Sequence, residues 1–294
     1  MSLRSLFADL FELSKPSILF LNVLMSALGM WLAFGTIEFA TPVPWLDLGL
    51  TLVGVSLVVG SANALNMVLE LDVDAKMRRT QNRPLPAGRL STGAAAGFGI
   101  VIGIVGTIIT YVFAGALTAL LGCLALAIYV LAYTPLKKRT SLALAIGAVP
   151  GAAPPLMGWV AVTKGIEWPG VVLFLILLVW QVPHFLAIAL YSRADYERAG
   201  IKVVPVVYGD RVAKLQVVAY ATLLIPLSLL LVPLGAAGWI YGGAALLVSL
   251  WFLVACVRGY GSIETIPWAR SVFRASLVYL PALGLAVILD RVIL

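Results

Sequence analysis

The sequence predicts an all-α, polytopic membrane bundle of nine transmembrane helices, with its N-terminus cytoplasmic and its C-terminus outside. Three observations carry this. Of 294 residues, 62% are hydrophobic and only 11% are charged, with a mean hydropathy of +1.06, whereas a soluble domain is about a quarter charged. Nine apolar runs of about 20 residues are each long enough to cross the hydrocarbon core. The basic residues, finally, fall almost entirely on one side of those runs. The same composition excludes a disordered chain, and with Cys123 and Cys256 as the only cysteines it excludes a disulfide scaffold.

The runs lie at roughly 17–35, 48–69, 93–113, 115–134, 141–162, 168–191, 213–234, 237–257 and 272–293. Ahead of them Leu3, Phe7 and Leu10 recur at helical spacing, so residues 1–16 read as a cytoplasmic interfacial segment with a helix over 3–13. Asp9 and Glu12 interrupt that stretch and no cleavage-type site follows, which argues against a signal peptide. The linkers are short, so 1–294 reads as a single integral membrane domain. Pro150, Pro154 and Pro155 in the fifth run and Pro183 in the sixth predict kinked helices or widened cavities.

Nine spans place successive linkers on alternating sides. The N-terminal side holds Arg4 and Lys15; Lys76, Arg78, Arg79, Arg83 and Arg89; Lys137, Lys138 and Arg139; Arg193, Arg198, Lys202, Arg211 and Lys214; and Arg258, Arg270 and Arg274. That is 18 of the 20 cations, and only Lys164 and Arg291 lie opposite. The side rich in Lys and Arg is the cytoplasmic one. The net charge of +7 thus follows from topology and attraction to anionic lipid, and implies no nucleic-acid partner. Nine of the 13 acids share the cytoplasmic side, while Glu38, Asp47, Glu167 and Asp290 are outside.

The most informative stretch runs from Ser61 to Thr80, at the end of the second span. At about 100° per residue, Asn66, Glu70 and Asp74 step by about 40° and share one helix face, with Asn63 extending it deeper and Asp72 pointing away. Stacked carboxylates at i and i+4 repel unless a positive charge lies between them. A divalent cation answers that need, and oxygen-only ligands suit Mg²⁺, which prefers one or two carboxylates, water and substrate phosphates. The alternative is a solvated helix end whose acids pair with Lys76, Arg78 and Arg79. A second acidic loop after the sixth span, with Asp195 and Glu197 among Arg193, Arg198 and Lys202, lies on the same side. Together these loops suit an enzyme that handles a diphosphate carrying a long hydrocarbon tail. A secondary transporter is the other class weighed, but it would place ionisable groups near the bilayer midplane.

Asn66-x-x-x-Glu70-x-x-x-Asp74, followed by Arg79-Thr-x-Asn-Arg-Pro-Leu-Pro-Ala-Gly-Arg89, resembles the first acidic motif of the UbiA-type intramembrane prenyltransferases. Tyr133-Thr-Pro-Leu-Lys-Lys-Arg-Thr140 is similar to the family's Tyr…Lys segment after the fourth span. Asp195 falls where the second acidic motif sits, and the likeness covers nearly the whole chain. Gly151-Ala-Ala-Pro-Pro-Leu-Met-Gly-Trp159 and Trp180-Gln-Val-Pro-His-Phe185 resemble the heme-prenylating branch. Glu70 departs from the family's more usual Asp, and the second motif is thin.

The resemblance implies a Mg²⁺-dependent transfer of a farnesyl group from farnesyl diphosphate to the vinyl group of heme b, with water addition, at the cytoplasmic face of a bacterial inner membrane. A quinone-ring precursor or another lipid is the alternative acceptor. It implies Asn66, Glu70, Asp74 and Asp195 as catalytic residues, with Glu70, Asp74 and Asp195 holding Mg²⁺ through the diphosphate. Lys137, Arg79 and Arg83 would bind diphosphate oxygens. Its protein partners would be heme A synthase or terminal oxidase assembly proteins, in surrounding membrane lipid. His184, the only histidine, reads either as a hydrogen-bonded interior residue or as a ligand to heme iron. Tyr133, Trp180, Phe185 and Tyr191 read either as interfacial belt or as lining of a prenyl channel.

Overall fold

Hydrocarbon has no water to satisfy backbone polar groups, so an apolar run must close its hydrogen bonds within itself as a helix. The computed structural model describes residues 3–36, 44–261 and 264–293, and Glu38 lies outside them. Among the described residues all regular structure is helical: α1 (Leu3–Leu13), α2 (Pro16–Phe34), α3 (Trp45–Leu69), α4 (Leu71–Asp74), α5 (Thr92–Ala114), α6 (Ala116–Ala127), a π-helical segment (Ile128–Tyr133), α7 (Thr134–Leu136), α8 (Ala143–Thr163), α9 (Trp168–Tyr191), α10 (Arg193–Arg198), α11 (Val204–Val207), α12 (Gly209–Leu229), α13 (Trp239–Val257) and α14 (Thr265–Ile293). Nine helical stretches among the described residues are long and apolar enough to cross a membrane, the fourth being the continuous run Ala116–Leu136.

The spans fall where the apolar runs predict, with ends displaced for physical reasons. α14 begins at Thr265, seven residues before the apolar run, because helix hydrogen bonds continue through Arg270 beyond the apolar stretch. α12 begins early at Gly209 for the same reason. It stops at Leu229 rather than near 234, where turns end at Gly235 with φ 70°.

Contact between α2 and α8 is backbone to backbone. A Cβ on Gly29 would lie 2.1 Å from the Pro155 carbonyl oxygen, and one on Gly158 would lie 1.9 Å from that of Ser26. Small residues permit this approach, which is how apolar helices associate where no water drives them together. The prolines of α8 and α9 lie inside their helices without ending them. Side chains add hydrogen bonds nearby: Ser26 Oγ donates to the Pro154 carbonyl at 2.8 Å, and Gln181 Nε2 donates to Ala148 and Leu177 carbonyls, each at 3.1 Å. α9 packs against α8, α12 and α14 around buried Trp159, Phe252, Tyr241 and Tyr279.

Asp290, which sequence placed among the outer acids, is buried: its carboxylate accepts from the Gly238 and Tyr241 N–H groups at the start of α13. α1 forms as expected, but with a different inner face. Leu6, Leu10 and Leu13 pack inward against Ala64 and Ala95, whereas Phe7 projects outward at 70% exposure with Phe11 beside it. The Leu3 side chain lies outside the description. Arg89 clasps α1 by donating to Asp9 and Glu12, both at 2.8 Å.

Candidate active site

α3 ends at Leu69, and Glu70 (φ −107°, ψ 13°) steps out of regular helix before α4. The four-residue hydrogen bonds run on through this break: Glu70 N–H donates to the Asn66 carbonyl at 3.0 Å, and Asp74 N–H to the Glu70 carbonyl at 2.8 Å. The stripe therefore survives, and Asn66, Glu70 and Asp74 are 1%, 4% and 3% exposed. Asp72 turns outward as its helical phase requires and pairs with Lys138 at 2.6 Å. The Lys138 hydrogen bond holds the Asp72 carboxyl below the usual carboxylate range.

Two buried carboxylates need counter-charge. Lys76, Arg78 and Arg79, the partners a solvated helix end would use, are exposed instead. Arg83 takes Asp74 at 2.8 Å. Lys137 Nζ lies 2.7 Å from Glu70 Oε1 and donates to Oε2 at 2.8 Å, while also sitting 5.2 Å above the Tyr133 ring. Burial opposes the Lys137 charge, but Tyr133 and Glu70 more than offset it and hold the amine above its ordinary value.

A third cation comes from the start of the chain. Lys15 occupies the left-handed region (φ 51°, ψ 72°) immediately before Pro16, where the α conformation is disfavoured. That turn swings its amine to donate to Asn66 Oδ1 at 2.9 Å. Burial, with Arg83 beside it, pushes the amine down to about 7. Asn66 Nδ2 in turn donates to Thr134 Oγ1 at 3.1 Å, and that hydroxyl donates to the Tyr129 carbonyl at 2.8 Å in the π-helical segment. A Cβ on Gly147 of α8 would lie 2.4 Å from Tyr133 Cδ2, so a glycine there admits the ring that borders Lys137.

Glu70 Oε1 is buried, and the Lys137 amine 2.7 Å away reaches it at an angle that makes no hydrogen bond, so a lone-pair direction stays open there. Among the described residues no three His, Cys, Asp or Glu side chains gather to hold a metal ion by themselves. The donor set therefore fits a hard divalent cation that takes one or two carboxylates here and completes its shell with water and oxygens of a bound anion. Asp195 pairs with Arg198 at 3.1 Å on α10. Its loop nevertheless docks on the first motif: Val73 and Met77 pack with Ala199 and Ile201, and Lys202 N–H donates to the Lys137 carbonyl at 3.1 Å. Three loops thus clasp one another around the cation-and-carboxylate cluster. Arg79 stays exposed at its edge.

The aromatic candidates divide. Tyr133 belongs to the charged cluster, 5.1 Å from Tyr129. The others gather between α9 and α14: Trp180 stacks on His184 at 4.8 Å, Phe185 meets it edge-on at 5.4 Å, and Phe273 contacts both His184 and Tyr191. Ser276 Oγ donates to the Phe273 carbonyl at 2.6 Å and lies 2.8 Å from His184 Nδ1. Its one proton being committed, the serine accepts from Nδ1–H, which leaves His184 Nε2 as the nitrogen with a free lone pair. Trp180 Nε1 also donates to the Ser276 carbonyl at 2.9 Å.

Sequence reasoning missed Lys15, Thr134 and Ser276. A lysine directly before the proline that opens a span was the available signal for the first. Thr134 lies in the Tyr…Lys segment already singled out. Nothing local marks Ser276, 92 residues from its partner.

A family model described as the UbiA prenyltransferase family matches residues 19–278. A protein named protoheme IX farnesyltransferase from Anaeromyxobacter dehalogenans (strain 2CP-C) is 47% identical over 283 residues, covering 96% of this chain and 94% of that protein. Among solved structures, one giving insights into digeranylgeranylglyceryl phosphate synthase in membranes superposes with a TM-score of 0.80 at 18% identity, covering 98% of this chain and 99% of that one. A UbiA homologue from Archaeoglobus fulgidus, solved bound to GPP and Mg²⁺, has a TM-score of 0.67 at 16% identity, covering 95% and 99%.

Proposed function

The chain belongs to the UbiA prenyltransferase family, and from that premise we propose that it transfers a farnesyl group from farnesyl diphosphate to a vinyl group of heme b, with addition of water, to give heme O. The observation that carries the site assignment is the convergence of Lys15, Arg83 and Lys137 on buried Asn66, Glu70 and Asp74. The relative's name supports the choice of heme as acceptor, and the GPP and Mg²⁺ bound in the Archaeoglobus homologue support a prenyl diphosphate and Mg²⁺ as the polar load. The basic end of the bundle would face the cytoplasm of a bacterial inner membrane, by the positive-inside rule.

Glu70 and Asp74 would hold Mg²⁺ jointly with the diphosphate, and Asp195 would reach the same anion from the second loop. Bound there, the cation neutralises the leaving diphosphate. As the anion arrives, Lys137 and Arg83 transfer hydrogen bonds from carboxylate to phosphate oxygens, joined by Lys15, with Arg79 at the rim. Asn66 is held between Lys15 and Thr134, so its amide is set in orientation before the substrate binds. Breaking the C1–O bond gives an allylic cation, which an apolar bundle shields from water. Tyr133 borders that point, and Trp180, Phe185 and Tyr191 present further π faces. The vinyl carbon of heme b bonds to C1, and water captures the resulting porphyrin-stabilised cation and releases a proton. His184 would bind heme iron through Nε2, its ring set by Ser276.

Purified protein incubated with heme b, farnesyl diphosphate and Mg²⁺ should yield heme heavier by one farnesyl group plus one water. Turnover that persists in Glu70→Ala with Asp74→Ala would overturn the site. For the histidine, His184→Ala should change the Soret band of bound heme b, and an unchanged spectrum would remove it as a ligand.

A further inference from the structure

At the same end of the bundle as the site, α13 and α14 diverge around an open groove of about 700 Å³. Trp251, Ala255 and Val278 form its apolar wall, while Arg258 and Arg274 stand at its mouth. Both arginines are exposed, and neither guanidinium makes a hydrogen bond or ion pair among the described residues. Glu264 also borders the mouth and has a partner of its own. The groove is a built feature rather than a gap between loosely packed ends. Trp268 forms its floor, with Nε1 donating to the Cys256 carbonyl at 3.1 Å and Lys214 Nζ 5.2 Å from its ring. A Cβ on Gly259 would fall 1.8 Å from Trp268 Cδ1, so the turn after α13 carries a glycine where the ring must lie against it.

We propose that this groove binds an acidic phospholipid, with the phosphate between Arg258 and Arg274 and an acyl chain along Trp251, Ala255 and Val278. Such a lipid matches the groove in both charge and position. Trp251 lies seven residues before Arg258 on α13, about 10 Å deeper by helical rise, and Val278 lies four residues past Arg274 on α14, about 6 Å deeper, as an acyl chain lies below its phosphate. Two guanidiniums suit phosphate oxygens, and basic pockets between membrane helices are where anionic head groups lodge. None of the groove's residues belongs to the prenyl-transfer site described above, so the proposal does not rest on the heme reading.

Native mass spectrometry of the full-length, delipidated protein in neutral detergent tests this. Phosphatidylglycerol should bind at least ten times more tightly than phosphatidylcholine. Arg258→Gln with Arg274→Gln should abolish that preference, the corresponding Lys pair should retain it, and Arg4→Gln with Arg211→Gln should leave it intact. The Gln pair should keep its prenyl-transfer rate in detergent, which reports that it is folded. Absence of a preference, a preference that survives the Gln pair, displacement of the phospholipid by stoichiometric heme b, or a dimer lost with the arginines would each overturn the proposal. The last two would assign the groove to the tetrapyrrole dicarboxylate or to a second copy.

Discussion

Replacing Lys137 with methionine keeps much of its length and removes the charge that neutralises Glu70. The Glu70 side chain is 6% exposed and that of Lys137 19%, so the carboxylate would be stranded in a largely dry site. Breaking a fully buried pair costs about 3–5 kcal/mol. Here Lys15 and Arg83 stand close enough to share the compensation, so about 2–3 kcal/mol is expected. Glu70→Gln in the same protein removes the stranded charge, and the double variant should return to within about 1 kcal/mol of the parent. Activity should behave in the opposite sense. If Lys137 moves to a phosphate oxygen when substrate binds, that charge-assisted bond contributes about 1.5–3 kcal/mol, or about 10- to 150-fold in kcat/KM. The double variant, having lost a carboxylate as well, should be slower still. Chemical unfolding in mixed micelles and the rate of heme farnesylation measure the two quantities. A double variant that regains both would show the pair to be purely structural, and a Lys137→Met protein that unfolds early but turns over normally would refute its role at the diphosphate.

Three further outcomes follow from particular contacts. An amine at about 7 is protonated below that pH and neutral above it, and a bound anion favours the protonated form. KM for farnesyl diphosphate should therefore be lowest below pH 7 and rise by up to about tenfold per unit above it, a trend that Lys15→Met should flatten. Gly147→Ala drives a methyl group into the Tyr133 ring and should slow turnover about 10- to 100-fold with helix content unchanged; an unaffected rate would detach Tyr133 from the chemistry. Asp290→Ala leaves two N–H groups at the start of α13 without their acceptor, and should cost about 1–3 kcal/mol in unfolding while sparing activity at permissive temperature.

What the sequence made legible divides along physical lines. Apolar length and the distribution of Lys and Arg are one-dimensional properties, so nine spans could be read directly. The Asn66–Glu70–Asp74 face could be read too, because helical phase survives even the break at Glu70. Pairing could not. Arg79 and Arg83 were equally placed by composition, and only the turns from Met77 through Thr80, whose hydroxyl donates to the Asp74 carbonyl, bring Arg83 back onto Asp74 and separate the two. Lys15 looked like one more topological cation, since its arrival at Asn66 depends on a left-handed residue that no hydropathy pattern encodes. Asp290 looked like an acid in water, whereas it terminates a helix distant in sequence. The long-range partnership of His184 with Ser276 is set by the packing of α9 on α14 alone.

The π-helical segment Ile128–Tyr133 has a consequence for how this chain tolerates change in length. A wider turn accommodates one residue more than an α-helix would over the same rise. Removing one residue there would let the segment relax to ordinary α-helix over the same rise, so the residues after it would keep their phase relative to the preceding part of the span. Thr134 would stay beside Asn66, and Lys137 beside Glu70. A single deletion that an unbroken α-helix would transmit as a rotation of about 100° would here be absorbed by loss of the wide turn. The fourth span thus holds one residue in reserve, just ahead of the side chains it delivers to the site.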